Sequence, residues 1–290
     1  MDINKAAVLG AGRMGRQIGL CAAIHGVETY VYDNDPEVIE DVRKWAEEYL
    51  AGRIAKGRMT EEQVAAAKAL FHPEPELAKA VRDVDLVIEA VVEIKEVKNE
   101  VFDQIRDLID DRTIIATNSS VMVSSQFKDH VKHPDKLCNM HFYNPALVMT
   151  FVEVVQGEHT STETAESVYN FCRKLGKKPA WQKKEIPGFI GNYCNGGLRK
   201  NAFYLVEHGY CTYQDIDIAL EEGFHHKMGQ FRMIDLTGGI LPIYRKMESQ
   251  YKETGVKPDM YDTFKDLVDR ERLGKSVGHG FYDYVDDGKQ

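Results

Sequence analysis

Three stretches of this chain combine residue types and spacings that could do chemistry. In AAVLGAGRMGRQIG, residues 6 to 19, Gly10, Gly12 and Gly15 follow an apolar run. In NMHFYNP, residues 139 to 145, His141 closes an apolar run, and Glu153 lies further on inside the apolar TFVEVVQ (150–156). IIATNSSV, residues 114 to 121, ends an apolar run in Asn118, Ser119 and Ser120.

The glycines gain meaning from their neighbours. KAAVL (5–9) reads as a strand and MGRQIGLCAAIHG (14–26) as a helix, so the glycines make a strand-to-helix turn. In such a turn Gly10 permits the tight reversal, Gly12 lets the main chain approach a pyrophosphate, and Gly15 lets helix and strand pack closely. Arg13 and Met14 stand at the helix start, whose unpaired N–H groups suit phosphate. Asp33 ends the next strand, VETYVYD (27–33), where a carboxylate can accept hydrogen bonds from both ribose hydroxyls. It also repels a 2′-phosphate, and Asn34 and Asp35 supply no arginine to hold one. The expected cofactor is therefore NAD rather than NADP, and the lack of a second nucleotide-like region disfavours FAD. The competing reading is a turn that holds nothing, with Asp33 a solvated strand end.

His141 falls at the carboxyl end of a strand, the edge where open α/β sheets bind ligands. Its side chain changes charge near neutral pH and can take the proton of an alcohol. Glu153 needs a partner to justify burial in an apolar run, and a carboxylate steadying an imidazolium supplies one. A packed strand-end histidine is the alternative. Ser120 and Asn118 suit a ribose or a substrate oxygen, or simply a turn. Asn192, in PGFIGN (187–192), is either a helix-start residue or a group facing a cleft.

The elements that must position these groups alternate. Strands VDLVIEAV (84–91), RTIIAT (112–117), KLCNMHF (136–142), TFVEVVQ (150–156) and KPAWQ (178–182) are interleaved with helices KEVKNEVFDQIRDLI (95–109) and TETAESVYNFCRKLG (162–176). A long amphipathic region fills Pro36 to Lys79. This pattern predicts an α/β fold with an N-terminal Rossmann-type doubly wound sheet over 1–186. Helical segments dominate 187–290, predicting a smaller all-α domain, with GFYDY (280–284) as a late strand. Pro187 and Gly188 mark the boundary.

The bulk numbers exclude several classes. A net charge of −9 with no Lys/Arg run argues against nucleic acid as a partner. No apolar run reaches bilayer length, which argues against a membrane partner, and the N-terminal region lacks a signal-peptide plan. Five widely spaced cysteines without C-x-x-C fit reduced thiols in a cytoplasm and no metal site.

Together these motifs resemble the short-chain 3-hydroxyacyl-CoA dehydrogenase family, in VLGAGRMG, KGRMTEE, DLVIEAVVE, KNEVF, MHFYNPALVMTFVEVV, PGFIGN and RERLGKSVGHGFYDY. The resemblance implies NAD-dependent oxidation of an L-3-hydroxyacyl-CoA, His141 acting as general base and Glu153 orienting it. It implies that Ser120 contacts the substrate oxygen and Asn192 positions the substrate. Glu93 and Lys98 would line the nicotinamide-ribose side, Lys56 would hold a CoA phosphate, and the helical domain would form a homodimer. The second domain departs from the family pattern: Gln230 replaces proline, Arg232 an acidic residue and Ile240 an aspartate. Tyr193 stands for arginine and Asn201 for glutamate, while Leu147 and Thr150 replace proline and lysine. These departures keep open a relative acting on a free hydroxy acid or hydroxymethyl compound. Arg199 or Arg232 would then pair with a substrate carboxylate, unless each only decorates a solvated helix face. His225 and His226, adjacent and without other clustered ligands, do not suggest a metal.

Overall fold

A computed structural model describes residues 1–284. The chain divides into two compact units, at residues 191 and 192. The expected boundary after 186 lies slightly earlier. Residues 187–191 stay with the first unit because Phe189 packs on Val123 and Val155, and the Gly191 N–H bonds Glu153.

The first unit holds strands β1 (Lys5–Leu9), β2 (Glu28–Tyr32), β3 (Phe71–Glu74), β4 (Leu86–Glu89), β5 (Ile114–Thr117), β6 (Leu137–Phe142), β7 (Phe151–Val155) and β8 (Lys178–Gln182). They form one sheet in the order β3-β2-β1-β4-β5-β6-β7-β8. Neighbours run parallel except β6 and β7, which are antiparallel. This is the doubly wound arrangement the alternation predicts. Its helices are α1 (Arg13–Ile24), α2 (Pro36–Ala55), α3 (Glu61–Leu70), the short α4 (Leu77–Ala80), α5 (Lys95–Ile105) and α6 (Thr162–Lys174).

Both faces of the sheet are covered, which is why its central strands read as unbroken apolar runs. Ala6, Val8, Ile88, Ala116 and Met140 pack into one core, while Ala7, Leu9, Val87, Ile115 and Leu137 pack into the other. Sequence patterning reads Pro36 to Lys79 as one long amphipathic region. The structure breaks it into α2, α3 and α4 and inserts the edge strand β3, which tolerates Pro73 because an edge need not donate every N–H. The α2–α3 break has its own signal, since Thr60 and Gln63 form a reciprocal capping box at the start of α3.

The helix α7 (Phe189–Glu207) begins in the first unit and its later turns belong to the second. The second unit continues with α8 (Tyr213–Ile218), α9 (Gln230–Thr237), α10 (Ile240–Thr254) and α11 (Tyr261–Asp269) around Phe203, Phe231, Phe264 and Phe281. GFYDY is not a strand. The N–H groups of Phe281 and Tyr282 donate to the buried Asp235 carboxylate, and only isolated bridges join His279 to Gly274 and Asp283.

Candidate active site

The glycine turn joins β1 to α1 as expected. Gly10 adopts a φ of 96°, and a Cβ there would meet the Ala90 carbonyl oxygen at 2.8 Å. A Cβ at Gly15 would run into the Gly10 carbonyl. The Cβ position of Gly12, by contrast, faces open space. Two glycines are thus demanded by the packing of turn and helix, while the third leaves the main chain bare beside a free volume. The first turn of α1 carries no acidic side chain, so its positive end is not neutralised.

Asp33 Oδ2 accepts the Ala11 N–H at 2.9 Å, and Oδ1 accepts the Asp35 N–H at 3.2 Å. These bonds fix the carboxylate beside the glycine turn. Gly10, Gly12, Arg13, Met14 and Asp33 line one cavity of about 620 Å³. That size suits a small-molecule site, and bare amides opposite a fixed carboxylate suit phosphate and ribose.

Beside this cavity lies a buried charge network. Glu89, at the end of β4, accepts from Lys98 Nζ at 2.6 Å, from Thr117 Oγ1 at 2.6 Å and from the Val91 N–H at 2.8 Å. Lys98 also sits 3.1 Å from Glu93. Glu93 in turn accepts from the Ser119 hydroxyl and from the Ser120 N–H at 3.1 Å. Burial pushes Glu93 up, but the Ser119 hydrogen bond and the charge of Lys98 outweigh it and hold its carboxyl below the ordinary value. Lys98 is 1% exposed, so its role is to fix Glu93 from behind rather than to meet a ligand. Sequence reasoning passed over Glu89. A carboxylate closing the apolar run DLVIE, ahead of a lysine on the next helix, was the available signal.

His141 and Glu153 face each other across the antiparallel β6–β7 pair. Nδ1 of His141 lies 2.8 Å from Glu153 Oε2, both side chains being buried. The carboxylate can only accept, so Nδ1 carries the hydrogen and Nε2 keeps a free lone pair. Oε1 of Glu153 accepts the Gly191 N–H at 2.8 Å, and the Tyr143 hydroxyl donates to Oε2 at 3.2 Å. Burial raises the Glu153 carboxyl, but hydrogen bonds from His141 and Gly191, with the His141 charge, bring it below its ordinary value. The rings of Tyr143 and Phe189 stand 4.7 and 5.5 Å from the imidazole.

The neighbouring strand brings the polar tail of β5 alongside. Asn118 Oδ1 accepts the Phe142 N–H at 2.9 Å, which ties the end of β5 to the residue after His141. Asn118 is therefore a splint between strands. Ser120 is half-buried, and its hydroxyl has no hydrogen bond among the described residues. Lys56 is exposed at the end of α2. Arg53 and Arg58, on either side of it in sequence, line a separate cavity of about 540 Å³ together with His25 and Lys177 and with no carboxylate. Sequence reading names Lys56, which does not line that cavity, and neither of these arginines.

In the second unit Asn192 is exposed in the early turns of α7. Gln230 is buried and its Nε2 donates to Asn195 at 2.5 Å. The Arg232 guanidinium lies 3.1 Å from Glu221 and stacks 4.3 Å over the Tyr282 ring. It is committed within the unit rather than waiting for a substrate carboxylate. Arg199 is half-buried and makes no ion pair among the described residues. His225 and His226 join no cluster that could hold a metal among the described residues.

Comparison with known proteins gives a consistent result. A family profile described as "3-hydroxyacyl-CoA dehydrogenase, NAD binding domain" matches residues 5–186. A second, described as "3-hydroxyacyl-CoA dehydrogenase, C-terminal domain", matches residues 188–284. The chain is 33% identical to the mitochondrial hydroxyacyl-coenzyme A dehydrogenase of Mus musculus over 97% of its length and 91% of that protein's. It is 32% identical to a probable 3-hydroxybutyryl-CoA dehydrogenase of Bacillus subtilis, covering 98% of both. The solved (S)-3-hydroxybutyryl-CoA dehydrogenase of Ralstonia eutropha superposes with a TM-score of 0.84 at 27% identity, covering 98% of this chain and all of that one.

Proposed function

The chain belongs to the 3-hydroxyacyl-CoA dehydrogenase family, and from that premise we propose that it interconverts a short L-3-hydroxyacyl-CoA, such as 3-hydroxybutyryl-CoA, and its 3-keto form. The observation that carries the reading is the His141–Glu153 pair, with its buried carboxylate and free Nε2. Bound NAD would supply the hydride acceptor for C3. Gly10, Gly12, Arg13 and Met14 would hold its phosphates, Asp33 its adenosine ribose, and Glu93, fixed by Lys98, the other ribose.

His141 Nε2 takes the proton of the 3-hydroxyl while Glu153 stabilises the imidazolium, a step contributing about 10²–10⁴-fold. The Ser120 hydroxyl holds the reacting oxygen, and Asn192 positions the acyl thioester. Lys56, reinforced by Arg53 and Arg58, meets the CoA phosphates, which reconciles an acidic protein with a polyanionic substrate. The reading assigns the cofactor to 1–186 and the substrate to 187–290, of which 187–191 pack with the first unit. The reading includes a cytoplasmic homodimer joined through the second domain. The five free thiols and the exposed Tyr204, Phe224 and Leu236 support it. No helix among the described residues is long and apolar enough to cross a membrane.

The test follows NADH oxidation with acetoacetyl-CoA and with a panel of free keto acids. Turnover of the thioester alone is the expected result. A preference for a free acid would replace this reading with dehydrogenation of a non-CoA hydroxy acid, and NADH binding without any turnover would leave a non-catalytic relative.

A further inference from the structure

Glu153 takes three donors on two oxygens, and two of them, His141 Nδ1 and the Tyr143 hydroxyl, arrive at Oε2. The phenol is not there by accident of packing. A Cβ at Gly191 would run into the Tyr143 hydroxyl, so the bare main chain at 191 is what admits it. The Tyr143 ring is held between His141, 4.7 Å away, and Phe151, 5.2 Å away. From this geometry we infer that Tyr143 is a positioning residue, whose hydroxyl draws charge from the carboxylate oxygen that faces His141 and so sets how strongly the imidazole holds its proton. The inference rests on His141 being the general base.

Donors sharing one oxygen compete. Each neutralises part of the negative charge that the other would use, so Glu153 stabilises an imidazolium less with the phenol present than without it. The phenol remains a donor throughout, because burial and then the charge of Glu153 push its own ionisation up. Among the described residues of the first unit, the elements bonded to the pair add no rival charge. β6 contributes His141, β7 contributes Glu153, β8 places Ala180 opposite Glu153, and the first turn of α7 adds Phe189 and the Gly191 N–H. No further charged side chain hydrogen-bonds His141, Tyr143 or Glu153 among the described residues of this unit.

The experiment is the pH dependence of kcat/KM for oxidation, whose acid limb reports loss of the neutral imidazole. Tyr143→Phe keeps the ring and removes the donor. The expected result is an acid limb moved to higher pH by about half a pH unit, with the NADH dissociation constant unchanged within about twofold. A limb that stays in place, or moves to lower pH, overturns the inference. Gly191→Ala reaches the same hydroxyl from the other side and should move the limb in the same direction. Combined with Tyr143→Phe it should add little, and additive shifts would also overturn the inference. His141→Ala, run alongside, separates the two levels. If it leaves turnover intact, the base assignment itself fails. If it abolishes turnover while Tyr143→Phe leaves the limb in place, only the role of Tyr143 falls.

Discussion

The ammonium of Lys98 lies 2.6 Å from Oε1 of Glu89, with both side chains shut off from solvent. Removing one partner leaves the other charge uncompensated in the interior. Lys98→Met is therefore expected to lower stability by about 3–5 kcal/mol, read from urea unfolding. Adding Glu89→Gln should restore part of that loss, and a single-variant cost below about 1 kcal/mol would show that the pair is not isolated from water.

His141→Ala removes the proton acceptor but touches nothing in the glycine turn. Turnover should fall by about 10²–10⁴-fold, while NADH affinity, measured by fluorescence titration, stays near that of the parent. Equal loss of both would count against the assigned role.

Asp33→Ala should weaken NAD binding by about tenfold, or 1.4 kcal/mol, and narrow the gap between NAD and NADP. Part of the effect comes through the turn, because the same carboxylate holds the Ala11 N–H. Dissociation constants for both dinucleotides check this. An unchanged preference would refute the assignment.

Glu93 should make stability depend on acid. Its carboxyl is held below the ordinary glutamate value of 4.5 in the folded chain, so the unfolded chain binds a proton first as pH falls. The stability Glu93 confers is thus complete above about pH 4.5 and is lost as pH drops through its folded value. The difference in unfolding free energy between the parent and Glu93→Gln should be widest near pH 7 and close toward pH 3. A constant gap would assign the Glu93 contacts no net preference for the ionised form.

Much of this fold could be read from sequence because its signals are local. KPAWQ pairs as β8 over the same residues the pattern marks, and the glycine turn sits where an apolar run meets a helical one. β3 stayed hidden because it is four residues long, contains Pro73 and borrows its order from β2. GFYDY looks like a strand by composition, yet its N–H groups are taken by Asp235, an acceptor that no local pattern announces. In the site, His141 and Glu153 are legible through a carboxylate in an apolar run. Glu89 offers the same signal in DLVIE, whereas Arg53 and Arg58 offer none, because their meaning depends on which neighbours the fold assembles around them.

The three donors around Glu153 also impose a parity rule on that position. An amide such as glutamine has one accepting end and one donating end, so one side must meet hydrogen with hydrogen. If the NH₂ turns toward Gly191, it faces a main-chain N–H that cannot reverse. If it turns toward His141, the ring can comply only by shifting its hydrogen to Nε2, where the lone pair is needed. A near-perfect isostere would thus keep the shape of the pocket while turning the imidazole electronically back to front.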